Sequence, residues 1–360
     1  MSIRSIQTTR LTLGLGALGL IATAAASAPA TAGPKHGRHD LAYDAVRQRI
    51  DALDAGTPIQ VDRLTVIPLR REAEPTSTRV TGQPSLLEAY LDLRDRTRPS
   101  VRLVNTTSRP VLATGGRVLY GNQGEYVLTQ DVLVPAEGQL RAIVAAACDV
   151  PPASDEETEL NWYPRFSPLL VKSELALEGS RRYLERLVSQ DGACDATSLR
   201  DRLSSEAGRA LDPKLDNVLH AEAFRDDAVV GFAAGIDGRL VALHVFAAPH
   251  LHRAKAAGLL SSIGLYAEAT ETRDANSRVR PLSGSTATHA VARATNDALH
   301  TLKTKTNVAF EGRRNVILEA PGLAGFGSLH GANPIHLSIK LHDPKREAVI
   351  DGATDTSEPS

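Results

Sequence analysis

The stretch from Val101 to Ala147 constrains this chain most, because short apolar runs there alternate with tight-turn residues. Val101, Leu103 and Asn105 alternate with polar neighbours, and Pro110–Ala113, Arg117–Tyr120, Tyr126–Val134 and Leu140–Ala147 are runs of strand length. Thr114-Gly115-Gly116, Gly121-Asn122-Gln123-Gly124 and Pro135-Ala136-Glu137-Gly138 separate them, and all three carry turn chemistry. Strands joined this closely must pair antiparallel, since a parallel crossover needs a dozen or more residues. A sandwich-like layer is therefore expected.

The flanks add helices. Leu41–Leu53 has the spacing of a short amphipathic helix, and Ile59–Pro68 alternates like one strand. Ser85-Leu86-Leu87-Glu88 is a capping box, predicting a helix to about Arg94 with Leu87, Tyr90 and Leu91 on one face. Pro151–Glu159 is acidic and Pro-rich, the composition of a surface loop, and 167–190 and 198–210 read as helices. Val229–Ile236 and Leu240–Ala247 are strands joined by Asp237-Gly238, a type I′ hairpin signal. Helices over His250–Thr270 and Ser285–Thr304 follow, then strands at Val316–Leu318 and Pro334–Leu341. The fold class is α+β: antiparallel-rich β layers, a helical middle segment, and C-terminal helices packed on a hairpin. One domain is expected over 59–342, made of a β-rich half (59–150), a helical segment (160–212) and a hairpin-plus-helices half (220–342). A linker with the short helix (33–58) precedes it, and a polar, disordered tail (343–360) follows.

The N-terminus has the grammar of a Sec signal peptide over 1–32. Arg4 and Arg10 supply the positive end, Leu11–Ala26 the apolar core, and Ala30-Thr31-Ala32 a small-x-small cleavage site before Gly33. That core falls short of the roughly 20 residues of a membrane span, although an uncleaved anchor is the alternative. No stable membrane insertion is expected after cleavage, and the localisation expected is periplasmic or secreted. Without Arg4 and Arg10, 39 basic residues stand against 42 acidic ones, a net charge of −3. Such a balance argues against a broad nucleic-acid or anionic-lipid surface. Cys148 and Cys194, an even pair in an oxidising compartment, are candidates for a disulfide; two separate buried thiols are the other reading.

The usual catalytic signatures are missing: there is no Gly-x-Ser-x-Gly elbow, His-Glu-x-x-His helix, Walker loop or Cys-x-x-Cys. Three constellations remain. Gly322–Gly331 is glycine-dense, as an anion cradle would be, but it precedes a strand instead of opening a helix, so a loop between strands is the plainer reading. His250 and His252 flank Leu251, and His330, His336 and His342 recur every six residues. Zinc needs three or four convergent ligands, so His336 is read as a hydrogen-bonded histidine lying inward on a strand, and no metal or cofactor is expected. Arg117, Asn122 and Gln123 sit beside a tight turn where they could rim a pocket; exposed residues of an ordinary hairpin are the alternative.

Several blocks resemble, in order, one bacterial and archaeal family. They are Ser85–Tyr90, Val101–Asn105, Pro110–Gln123, Val132–Ala136 followed by Cys148, Val229–Ala248 with the helix after Pro249, and His336-Leu337-Ser338. The family is the ARG-and-rhodanese/phosphatase-associated protein domain, a domain of unknown function, and the resemblance covers roughly 59–341. It implies a link to nucleotide or ADP-ribose-type metabolism. Gln123 matches the family's Gln. The acid expected before it is replaced by Arg117 or Gly116, and Asp149 follows Cys148 without the family's Arg-Trp; Trp162 lies well beyond. A lost carboxylate removes the obvious acid–base group. The expectation is an exported, non-catalytic domain that binds a small molecule or a protein. Arg117, Asn122, Gln123 and His336 are its candidate ligand residues. The alternatives are an extracytoplasmic hydrolase of nucleotide-like or phosphorylated substrates, using Arg117, Gln123 and His336, and an envelope interaction protein without a ligand.

Overall fold

The computed structural model describes residues 38–71, 79–94, 99–147, 156–166, 199–204, 206–274, 284–311, 315–331 and 333–341. The signal segment, Cys148 and Cys194, the helix expected at 167–190 and the 343–360 tail lie outside the described residues.

The chain enters on helix α1 (Arg38–Asp51) and strands β1 (Leu53–Ala55), β2 (Ile59–Val61) and β3 (Leu64–Arg71). Strands β4 (Leu87–Asp92), β5 (Ser100–Asn105), β6 (Val111–Ala113), β7 (Arg117–Gly121), β8 (Gly124–Leu128), β9 (Val132–Val134), β10 (Gly138–Ala146) and β11 (Thr158–Phe166) follow. Helices α2 (Leu199–Leu203), α3 (Glu206–His220) and α4 (Glu222–Arg225) lead to the hairpin β12 (Val229–Ile236) and β13 (Arg239–Phe246). Two long helices, α5 (Pro249–Asp274) and α6 (Gly284–Lys305), precede a closing meander of β14 (Asn307–Glu311), β15 (Asn315–Ala320), β16 (Leu323–His330) and β17 (Asn333–Leu341).

These elements form a mixed α+β fold with mostly antiparallel sheets. The larger sheet runs β1-β3-β12-β13-β17-β16-β15-β14, with β2 added on β3. Helices cover both of its faces. Phe232, Ala234 and Phe246 pack against Leu251, Leu259 and Ile263 of α5. Ala233, Leu243 and Val245 pack against Val46 and Ile50 of α1 and Val291 and Leu299 of α6. Double coverage is why β12 reads as an unbroken apolar run instead of alternating. Its Gly231 is a requirement of close approach, since a Cβ there would lie 2.1 Å from the His244 carbonyl oxygen.

The β-rich half is a closed six-stranded barrel, β10-β5-β4-β11-β7-β8, and not the expected sandwich layer. Its interior is filled by Leu91, Leu103, Leu119, Tyr126, Leu128 and their neighbours. Closure removes the exposed edges an open layer would leave. Strands β6 and β9 form a separate two-stranded ribbon.

Several expectations need correction. Residues 85–94 are not a helix: a 3-10 turn over Pro84–Leu86 leads into β4, and Ser85 makes no capping box. Leu87, Ala89 and Leu91 are all buried, and this period of two prevails over the helical reading because β5 and β11 flank the segment. Ile59–Pro68 is a hairpin, turning at Asp62 with φ 49°. Tyr126–Val134 breaks into β8 in the barrel and β9 in the ribbon. Residues 160–166, read as the start of a helical segment, belong to strand β11. Gly322–Gly331 is largely strand β16 and not a loop or anion cradle; Gly325 lies against the Ser338 backbone, where a Cβ would be 2.3 Å from the carbonyl oxygen. The Asp237-Gly238 turn forms as expected, with φ 52° and 81°. Arg63 Nε donates to Asp237 Oδ1 at 2.8 Å, tying this turn to the β2–β3 turn. No helix among the described residues is long and apolar enough to cross a membrane.

Candidate functional site

Arg117, Asn122 and Gln123 lie on the β7–β8 hairpin of the barrel, and His336 lies in the larger sheet. Arg117 begins β7, and its guanidinium donates to the carbonyls of Pro164 (2.8 Å) and Tyr163 (3.3 Å). Burial pulls its pKa down to about 10. Asn122 and Gln123 form the two-residue turn between β7 and β8, where the Gln123 carbonyl accepts from the Tyr126 hydroxyl at 3.0 Å. His336 lies in the other β system, fully buried on β17.

His336 is the centre of a buried chain of polar groups. Its Nδ1 bonds the carboxylate of Asp131, on the connector between β8 and β9. The second Asp131 oxygen accepts from the Gly115 N–H at 2.7 Å, and Gly115 sits in the turn between β6 and β7. On its other side, His336 Nε2 lies 3.4 Å from His244 Nδ1. An acid from the barrel side and two histidines of the large sheet thus form one chain across the junction.

Aromatic rings close around it. Phe246 stacks on His336 with centroids 4.2 Å apart, and Phe232 lies 5.2 Å from His244. His252 of α5 completes the circle, 6.2 Å from Phe246 and 6.1 Å from Phe232, with Phe224 behind it at 4.8 Å. His252 is 1 % exposed, and neither of its ring nitrogens has a hydrogen-bond partner among the described residues. Burial, with the nearby Arg253 charge adding to it, pushes its pKa down to about 3, so the ring is neutral at ordinary pH. His250, two residues earlier, points elsewhere: its Nε2 donates to the Val80 carbonyl at 2.9 Å. Lys255, also 1 % exposed, donates to the Leu112 carbonyl at 2.9 Å. Among the described residues no three of His, Cys, Asp and Glu converge as a metal-holding group.

The sequence held faint signs of this cluster. His244 interrupts the apolar run of β13, and Asp131 sits at the break in the Tyr126–Val134 run. Nothing local links residues 205 positions apart.

An open concavity lies elsewhere. A cleft of about 610 Å³ is lined by Arg70 at the end of β3, His220 at the end of α3, Glu222, Ala223 and Arg225 of α4, and Asp226 and Asp227. Arg70 pairs with Asp226 at 3.4 Å, and Asp227 with Arg253 at 2.7 Å. Charges of both signs therefore face one opening.

Fold and site define a mixed α+β protein in which a barrel and a helix-covered sheet meet through a solvent-excluded acid–histidine chain, with a separate charged cleft. No family model, curated protein or solved structure matches the chain.

Proposed function

We propose that this is an exported binding protein whose cleft between β3 and α4 takes a small polar ligand carrying both a positive and a negative group. The observation that carries the reading is the cleft lining, in which Arg70, Arg225 and His220 stand alongside Glu222, Asp226 and Asp227. A dipolar ligand can satisfy both sets, whereas a simple anion or cation meets like charge on one side. The acid–histidine chain offers a substrate no comparable access, because His244 and His336 are 0 % exposed. Export rests on the leader-like residues 1–32, and the β-block pattern resembling the ARG-and-rhodanese/phosphatase-associated domain is compatible with a nucleotide-type or other polar ligand.

The test is a thermal-shift panel on the purified protein, covering amino acids, betaines, phosphosugars, nucleotides and ADP-ribose. A ligand at a hundred times its Kd adds about 2.7 kcal/mol of stability. A dipolar hit that Arg225→Glu abolishes supports the reading. A hit unaffected by Arg225→Glu, or a panel in which only simple anions bind, overturns it.

A further inference from the structure

The first two turns of α5 hold the β6 side of the junction. His250 donates to Val80, Lys255 donates to Leu112, and His252 between them fills the aromatic ring. The strand these contacts grip pairs with β9 on one side, and on the other Leu112 donates to the Thr81 carbonyl and Thr81 to that of Pro110. We propose that this end of α5 is an acid-released latch: protonation of His252 expels its ring from the aromatic circle and frees the Val80–Ala113 side of the junction from the helix.

The geometry requires this direction. A protonated His252 would carry two N–H donors into a pocket walled by Phe224, Phe232 and Phe246, where neither finds an acceptor among the described residues. Burying an unpaired charge costs far more than moving the ring to water. The surrounding charges oppose the proton as well. On α5 itself, Arg253 is adjacent and Lys255 lies one turn on. At the strand end leading into the helix, Arg49 and Arg71 both donate to the Ala247 carbonyl. From α4 and β12 come the Phe224 and Phe232 rings. Across the circle stand His244 and His336, and the Asp131 carboxylate is engaged by His336 and Gly115. His250 and Lys255 flank His252 on one short helical segment, so the latch opens when that segment moves with the ring and both contacts part together.

The size of the effect follows from linkage. With the latch open, His252 titrates near the ordinary histidine value of about 6.5; with it closed, at about 3. Opening takes up a proton, so the opening constant rises by about 25-fold between pH 7 and pH 5. Hydrogen exchange on the full protein, corrected for the intrinsic pH dependence of exchange, reads this directly. The amides of Thr81 and Leu112 should lose about 25-fold protection at pH 5, while those of β5 in the barrel keep theirs. His252→Leu should abolish the change. Unaltered protection at Thr81 and Leu112, an equal loss in β5, or the same loss in His252→Leu would each overturn the latch. A second measurement on the unmodified protein covers a variant that fails to fold. The His252 ring signal should stay neutral well below pH 6, and a midpoint near 6.5 with unchanged amide protection refutes the proposal.

Discussion

Asp131→Asn tests whether the acid–histidine chain fastens barrel to sheet. The wild-type carboxylate is 8 % exposed and has both oxygens engaged, one by the Gly115 N–H at 2.7 Å and one by His336 Nδ1. Asparagine keeps a carbonyl for Gly115 but turns an amide N–H₂ toward the His336 Nδ1–H, donor against donor. His336 can relieve this only by changing tautomer, which leaves its Nε2 carrying the hydrogen toward His244 at 3.4 Å. A hydrogen bond to a charged group contributes about 1.5–3 kcal/mol. The expected loss is thus about 2 kcal/mol, because the isostere preserves the Gly115 bond. Urea unfolding at pH 7 should show a lower midpoint at unchanged slope. In a double-mutant cycle with His336→Leu, the two losses should fall short of additive by about 2 kcal/mol. A single-variant change under about 0.5 kcal/mol, or strict additivity, would refute the idea that this pair fastens the junction.

Two further outcomes are expected. Gly231→Ala forces a Cβ to 2.1 Å from a backbone carbonyl in the middle of a doubly covered sheet, so it should cost roughly 4 kcal/mol and sharply lower the soluble yield; a thermal midpoint within a few degrees of the parent would contradict the packing. Tyr126 is pushed up to about 12 by burial, so its neutral form stabilises the fold fully below pH 10, and this contribution is lost as pH rises from 10 to 12. Tyr126→Phe should cost about 1 kcal/mol at pH 7 for the bond to Gln123 and should flatten that alkaline decline; an unchanged alkaline slope in urea titrations would refute the assignment.

Several elements were legible because their signals are local. Asp237-Gly238 specifies its turn through positive φ at both residues, which Asp tolerates and Gly favours, so the β12–β13 hairpin follows from four or five residues. Helices α1, α5 and α6 announce themselves by helical spacing of apolar residues, and α1 buries Ala42, Val46 and Ile50 four apart. The alternation of Val101, Leu103 and Asn105 likewise marks β5, whose buried positions are those three. The α+β class follows from these pieces.

What escaped is what depends on distant partners. Leu87–Asp92 satisfies a helical pattern as well as an alternating one, and pairing with β5 and β11 selects the strand. Gly322–Gly331 has turn-like composition, yet glycine is what allows β16 to lie against the β17 backbone. Barrel closure depends on β10 meeting both β5 and β8 and on β11 meeting both β4 and β7, an arrangement no single segment encodes. The candidate sites follow the same division. The polar residues of the 117–123 stretch drew attention through their turn, and of these Arg117 donates to the backbone of Tyr163 and Pro164. Asp131, His244, His252 and His336 acquire their meaning from burial together, since solvent exclusion makes a carboxylate–imidazole bond strong and an unpartnered imidazole costly to protonate. Sequence by itself determined the local turns, the periodicities and the inventory of chemical groups. Tertiary structure alone decided which of those groups share a low-dielectric space, because that is a property of long-range packing and not of neighbouring residues.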